Sequence, residues 1–434
     1  MSAVNRSRLT ENSEILENLA IIYSPDDHVL NKQIQRYRHI ADRHQKFFGI
    51  TPELFFSSPG RTEIGGNHTD HNHGKVLAAS IDLDTIAAVN RNDAKKVTLI
   101  SEGYPKSFTV DIGHLQARAE ERGTTTAIIR GTVARFKELG WRVGGFNATI
   151  ASNVLVGSGL SSSASVEVLI GTIINHLFNN DGVGADEIAM IGQFAENHYF
   201  GKPCGLMDQL TIAVGGIIAI DFKDPLKPII HKVKASIDHS NYGILVVDTG
   251  GSHVNLTADY AAIPTEMQAV AKVLGGLTAR DITYNKLIRN IPALRQEVGD
   301  RAILRVMHFL AENERVRKMV TALEESALTT FLNLINESGN SSAQWLQNNF
   351  ATKNPAEQGV PLALALTANF LKKSGKPGAC RIHGGGFAGT ILVFIPNNLL
   401  NDYLKLMAST FSRSSITQLA IRPIGAVCLN RISK

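Results

Sequence analysis

The stretch Val156-Gly-Ser-Gly-Leu-Ser-Ser-Ser-Ala-Ser165 sets a glycine-rich turn and a run of hydroxyls directly before an apolar segment, Val166 to Phe178, that reads as a helix. Gly157 and Gly159 tolerate backbone angles that a β-carbon resists, so successive N–H groups can turn toward one anion. The helix start adds unpaired donors and the positive end of a dipole. Ser161, Ser162 and Ser163 sit where a serine caps a helix, and a spare hydroxyl there suits a phosphate oxygen or a magnesium ion. The same pattern also suits a capped helix after a flexible turn, so its partners must decide.

The chain has 434 residues, enough for two or three domains and a large core. Its 44% hydrophobic and 19% charged residues are those of a globular protein, not a disordered or fibrous one. The net charge of +5 is dispersed, which fits an anionic small ligand and gives no reason to expect nucleic acid. Cys204, Cys380 and Cys428 are too few and too scattered for a disulfide framework or a Cys-x-x-Cys metal site, so a reducing compartment is expected. With no signal-like or membrane-length apolar run, the expected location is cytoplasmic and away from membranes.

Ile15, Leu16, Leu19 and Ile22 recur at helical spacing, which predicts a largely helical segment over 1–50. From Leu54 to Asp84 short apolar runs alternate with glycine and polar clusters. Strands are expected at 97–101, 108–112, 145–152, 215–222, 242–248 and 390–395. Helices are expected at 124–139, 166–178 and 185–200, with further helical patterns between 258 and 371. Residues 336–342 read as a loop. Pro225 and Pro228 punctuate the chain, which places a boundary between units 1–225 and 226–434. Strands and helices without a strict βαβ rhythm predict an α+β fold.

Three further clusters carry chemistry. Ser58-Pro-Gly-Arg-Thr-Glu-Ile-Gly-Gly-Asn-His-Thr-Asp-His-Asn-His-Gly74 packs an arginine, acids, histidines and amides into a turn-rich stretch. His68, Asp70, His71 and His73 are potential metal ligands, but their spacing matches no metal motif. A polar pocket fits better, with Arg61 forked onto phosphate and His68 and Asp70 on sugar hydroxyls. In Glu196-Asn-His-Tyr-Phe-Gly-Lys-Pro-Cys-Gly-Leu-Met-Asp-Gln209 two carboxylates can divide two jobs. Phosphoryl transfer needs one acid to help hold magnesium and often another to orient or deprotonate the attacking hydroxyl. His383-Gly-Gly-Gly-Phe-Ala-Gly389 is either a tight hairpin or a ligand-facing loop. No Gly-x4-Gly-Lys-Ser/Thr loop and no His-Arg-Asp signature is present.

These segments, in this order, resemble the motifs of the GHMP small-molecule kinases. Pro59 to Asn72 is similar to the family's sugar signature PGRVNLIGEHTDYN, Gly157 to Ser165 to its phosphate loop, Ala195 to Gln209 to its catalytic segment, and Gly384 to Gly389 to its third motif. The resemblance implies a two-domain fold with the active site between the domains. It implies transfer of phosphate from ATP, with Mg2+, to the anomeric hydroxyl of a small sugar, galactose first. N-acetylgalactosamine, arabinose or a non-catalytic sugar sensor are the alternatives, and a monomer or weak homo-oligomer is expected. Asp208 would be the catalytic carboxylate and Arg61 would stabilise the transferred phosphoryl group. Asn67, His68, Asp70, Gly205 and Tyr260 would line the sugar site. Gly157, Ser158, Gly159, Leu160, Ser161, Ser162 and Ser163 would cradle ATP, and Glu196 with Ser162 or Ser163 would hold the metal. The chain departs from the signature at Glu63, usually asparagine, and at Asn67, usually a glutamate on the sugar's outer hydroxyls.

Overall fold

The computed structural model describes residues 13–155, 157, 159–235, 241–251 and 256–431. Where short runs were expected after Leu54, the chain builds two long antiparallel strands, β1 (Leu54–Gly65) and β2 (Lys75–Arg91). Their small and β-branched residues are buried over nearly the full length. Glycine and proline, which suggested interruption, fall at register shifts between Pro59 and Arg61 and between Glu63 and Gly65. A bulge accommodates an unpaired residue there and re-aims the side chains that follow.

β2 anchors an eight-stranded sheet. One end pairs with β5 (Phe146–Ser152), and the other with β6 (Ile217–Asp221). β3 (Lys96–Ser101) joins β5 in parallel, while β4 (Phe108–Asp111) and β7 (Ile229–Lys232) extend the two wings. The strand period of two divides β1 between two cores. Phe56 faces helices 125–138, 162–179 and 207–214 through Phe136, Val168 and Leu210. Its neighbour Phe55 faces the helices Ser13–Ile22 and Asp27–Phe48 through Ile15, Leu19 and Ile40.

A second sheet runs in the order β11-β8-β10-β9, from Ile416–Leu419, Tyr242–Asp248, Thr390–Pro396 and Ala379–His383. Helices Gly359–Ser374 and Leu400–Phe411 cover one face. On the other, Val316 and Phe331 of helices Asp300–Glu324 and Leu328–Ser341 join Val246 and Leu392 to Ile64 and Leu77 of the first sheet. One apolar core therefore spans both sheets, and the fold is α+β as expected. The exception is 336–342, which is helical almost throughout rather than a loop. Its small residues serve packing: a β-carbon on Gly339 would stand 3.0 Å from the Cys380 carbonyl of β9. Near the C-terminus, β12 (Val427–Cys428) returns to pair with β1. Among the described residues no helix is long and apolar enough to cross a membrane.

Asp84 on β2 is wholly buried and binds Arg36 of the N-terminal helix at 2.9 Å, Arg422 of the C-terminal segment at 3.5 Å, and the hydroxyls of Tyr23 and Ser57. Its removal strands two guanidinium groups. Asp84→Ala is expected to cost about 3–5 kcal/mol, read as a lower urea midpoint of unfolding.

Candidate active site

The bulge in β1 brings the sugar signature against the phosphate loop. Gly60 permits this approach, since a β-carbon there would lie 2.9 Å from the Leu160 carbonyl, which the Arg61 N–H meets at 3.1 Å. The Arg61 guanidinium, almost fully buried, donates from Nε to Asp208 Oδ1 at 2.8 Å, with Nη2 at 2.7 Å, and from Nη1 to the Gly159 carbonyl. Ser161 donates to the other carboxylate oxygen, Oδ2, at 2.5 Å. Ser161 is also the residue before the helix Ser162–Asn179, held left-handed at φ 62°, and its side chain makes no cap bond. The expected serine cap is thus diverted to Asp208, and the first N–H groups of the helix stay available to an anion. Gly157 and Gly159 take φ of 78° and 72°, as the loop reading required. Val156 and Ser158 lie outside the described residues.

Burial alone would raise the Asp208 carboxyl, but Arg61, the Ser161 hydroxyl and Lys202 together hold it below its usual value of 3.8. Asp208 is therefore an anion at neutral pH. A carboxylate lowered on folding stabilises the protein above its unfolded value and loses that contribution as the pH falls through the folded one. Thermal melts of wild type and Asp208→Asn should therefore differ most above about pH 4 and converge on further acidification.

The helix Ala185–Ala195 runs into a π-helical turn, Glu196–Phe200, closed by Gly201 at φ 86°. Such a turn shifts side chains off the regular helical face. It delivers buried Glu196 to the loop: Ser163 donates to Glu196 Oε1 at 3.2 Å, and Lys202 Nζ meets the same oxygen at 3.4 Å. Gln209 bridges Glu196 at 3.0 Å and Glu167 at 2.9 Å. Burial and the nearby Glu196 charge push Glu167 well above the usual carboxylate range. Sequence reasoning passed over Glu167, although a carboxylate inside the apolar run Val166–Phe178 was the available signal. Among the described residues no three His, Cys, Asp or Glu side chains group as a metal site. A carboxylate and a serine hydroxyl supply part of an oxygen donor set, which suits a hard cation that also takes phosphate oxygens.

The sugar-signature side chains gather on the other flank. Gly205 packs so tightly on Asp70 that a β-carbon would lie 2.1 Å from Asp70 Oδ2. The His68 ring bonds the Gly385 carbonyl at 2.7 Å, and the Tyr260 hydroxyl donates to Gly386 at 2.9 Å. Burial lowers His68 to about 4, so its ring is neutral. His383, which the sequence left unassigned, joins this loop to β1 through Thr62 at 3.1 Å. The turn at Gly384–Gly389 links β9 to β10 as a hairpin and also borders the site. Asn67 is fully buried behind it: its Nδ2 donates to Glu63 Oε1 at 3.0 Å and Gly384 O at 2.8 Å, and its Oδ1 accepts from Asn348 at 2.8 Å. Gly205→Ala should displace Asp70 and weaken sugar binding by about tenfold or more, about 1.4 kcal/mol, in calorimetric titration.

Residues 42–91 match the galactokinase galactose-binding signature, and 127–216 match the N-terminal domain of GHMP kinases. A galactokinase of Clostridium tetani is 27% identical over 372 residues, 85% of this chain and 90% of that protein. Lactococcus lactis galactokinase, solved with galactose, superposes with a TM-score of 0.76 at 24% identity, covering 90% of this chain and 99% of its own. Methanococcus jannaschii mevalonate kinase shares the fold at a TM-score of 0.57 and 16% identity, over 85% of this chain and 98% of its own. With its phosphate loop facing a half-buried carboxylate, the chain resembles the GHMP kinases in fold and in its N-terminal motifs. Within that family, its sugar signature is similar to that of the galactokinases.

Proposed function

We propose that this chain transfers the γ-phosphoryl group of ATP to the anomeric hydroxyl of galactose, giving galactose 1-phosphate and ADP. The observation that carries this reading is the convergence of Arg61 and Ser161 on Asp208, which sets the sugar signature, the phosphate loop and a carboxylate at one point. The sugar oxygen forms the new P–O bond while the bond from the γ-phosphorus to the β–γ bridging oxygen breaks. Asp208 orients the hydroxyl and receives its proton, which passes to solvent. Arg61 stands beside the carboxylate, where it offsets charge on the transferred group. The loop at Gly157–Ser163 and the open helix start would hold the phosphates. Glu196 and Ser163 would hold Mg2+, which when bound neutralises phosphate charge. His68, Asp70, Gly205 and Tyr260 would line the sugar pocket, with Asn67 fixing the turn that carries His68. We further propose that units 1–225 and 226–434 form the two walls of the cleft, in a cytoplasmic monomer or weak homo-oligomer.

ADP release measured with magnesium-ATP over a panel of sugars tests the reading, and galactose should give the highest kcat/KM. Asp208→Asn should keep galactose binding and lose turnover by about a hundredfold or more. Wild-type protein that binds galactose but turns over no sugar would overturn the proposal.

A further inference from the structure

Lys202 stands in the turn between the π-helical segment and Gly205, with its backbone restrained on both sides. Gly201 takes φ 86°, Pro203 follows, and the Lys202 N–H donates to the Glu196 carbonyl at 3.2 Å. Its side chain is 64% exposed, whereas the carboxylate it meets is 3% exposed. Glu196 Oε1 thus has a loop serine on one side and an ammonium on the other. A buried carboxylate without a counter-charge is costly, and here the compensating charge is carried on a flexible four-carbon stem with its base fixed.

Resting on the kinase reading above, we infer that Lys202 is a mobile cation of the phosphoryl-transfer centre: it neutralises Glu196 in the empty site and grips the terminal phosphate of the bound nucleotide. The terminal phosphate must lie beside Asp208 for a hydroxyl held there to attack it. Lys202 shares Glu196 Oε1 with Ser163, two residues along the helix start from Ser161, which donates to Asp208. A divalent cation at Glu196 would repel the ammonium, and the exposed stem leaves it free to swing toward phosphate oxygens. Lysine suits this as a compact charge with rotatable donors that does not require a fixed fork geometry.

The test compares a non-hydrolysable ATP analogue with ADP by calorimetric titration, in metal-free buffer and again with magnesium. Lys202→Met should weaken the ATP analogue about two- to fivefold, the range for an exposed ion pair, and leave ADP nearly unchanged. Lys202→Arg should restore the analogue's affinity, and galactose binding should be the same in all forms, which controls for folding. Equal binding of the analogue by wild type and Lys202→Met would overturn the inference, as would equal weakening of analogue and ADP. Failure of the wild-type protein to bind either nucleotide would overturn the kinase reading itself, and this inference with it.

Discussion

The contact on which the site depends is the pairing of Arg61 with Asp208. It joins a bulged strand, a glycine loop and the helix Met207–Val214, which are far apart in sequence, through one nearly buried guanidinium. A partly buried ion pair adds little net stability once desolvation and solvent screening are counted, so its value here is geometric. Both carboxylate oxygens already have protein donors, from Arg61 at Oδ1 and Ser161 at Oδ2. A ligand hydroxyl that donates to Asp208 therefore meets an oxygen whose direction is set before the ligand arrives. This is preorganisation, and it relies on the close approach at Gly60 and on the left-handed Ser161.

Behind the site, a polar network ties the signature turn to the second sheet. Buried Arg381 of β9 pairs with Glu63 at 2.7 Å, Asn67 bonds both Glu63 and the third glycine loop, and His308 meets the Asn67 carbonyl at 3.0 Å. The departures at 63 and 67 are therefore one change: an amide and a carboxylate have exchanged places. The charge sits four residues earlier, on Arg381, and burial still pushes Glu63 upward despite that partner. Asn67→Glu alone would place a second carboxylate beside the first, whereas the reciprocal pair of substitutions keeps one charge.

Local chemistry explains what was legible in the sequence. The glycine and serine pattern of 157–163 announced an anion loop because backbone freedom and helix-start donors are local properties. The same holds for strands such as Tyr242–Asp248, whose apolar run has matching ends in the structure. Less legible were features fixed by distant partners. β1 and β2 looked broken because the residues that permit bulges also signal turns. Residues 336–342 looked like a loop because small polar residues disfavour an isolated helix, yet close packing on β9 selects them. The diversion of Ser161 from cap to carboxylate depended on Asp208, which local sequence could not supply.

The low proton affinity of Asp208 constrains how the reaction is driven. A carboxylate held down by Arg61 and Ser161 is a weak base, and in the proposed transfer it would not deprotonate a sugar hydroxyl in advance. Phosphoryl transfer through a loose transition state asks little of a base until bond formation is advanced, so the acidity poses no obstacle. What the transfer does require is a fixed line of attack and cations around the moving charge. Holding two reacting groups in line removes up to about 7–11 kcal/mol from a bimolecular barrier, far more than a modest gain in basicity. Arg61 thus lowers the basicity of Asp208 in the same contact that aims it. For a reaction governed by alignment and charge, the gain in aim outweighs the loss in basicity.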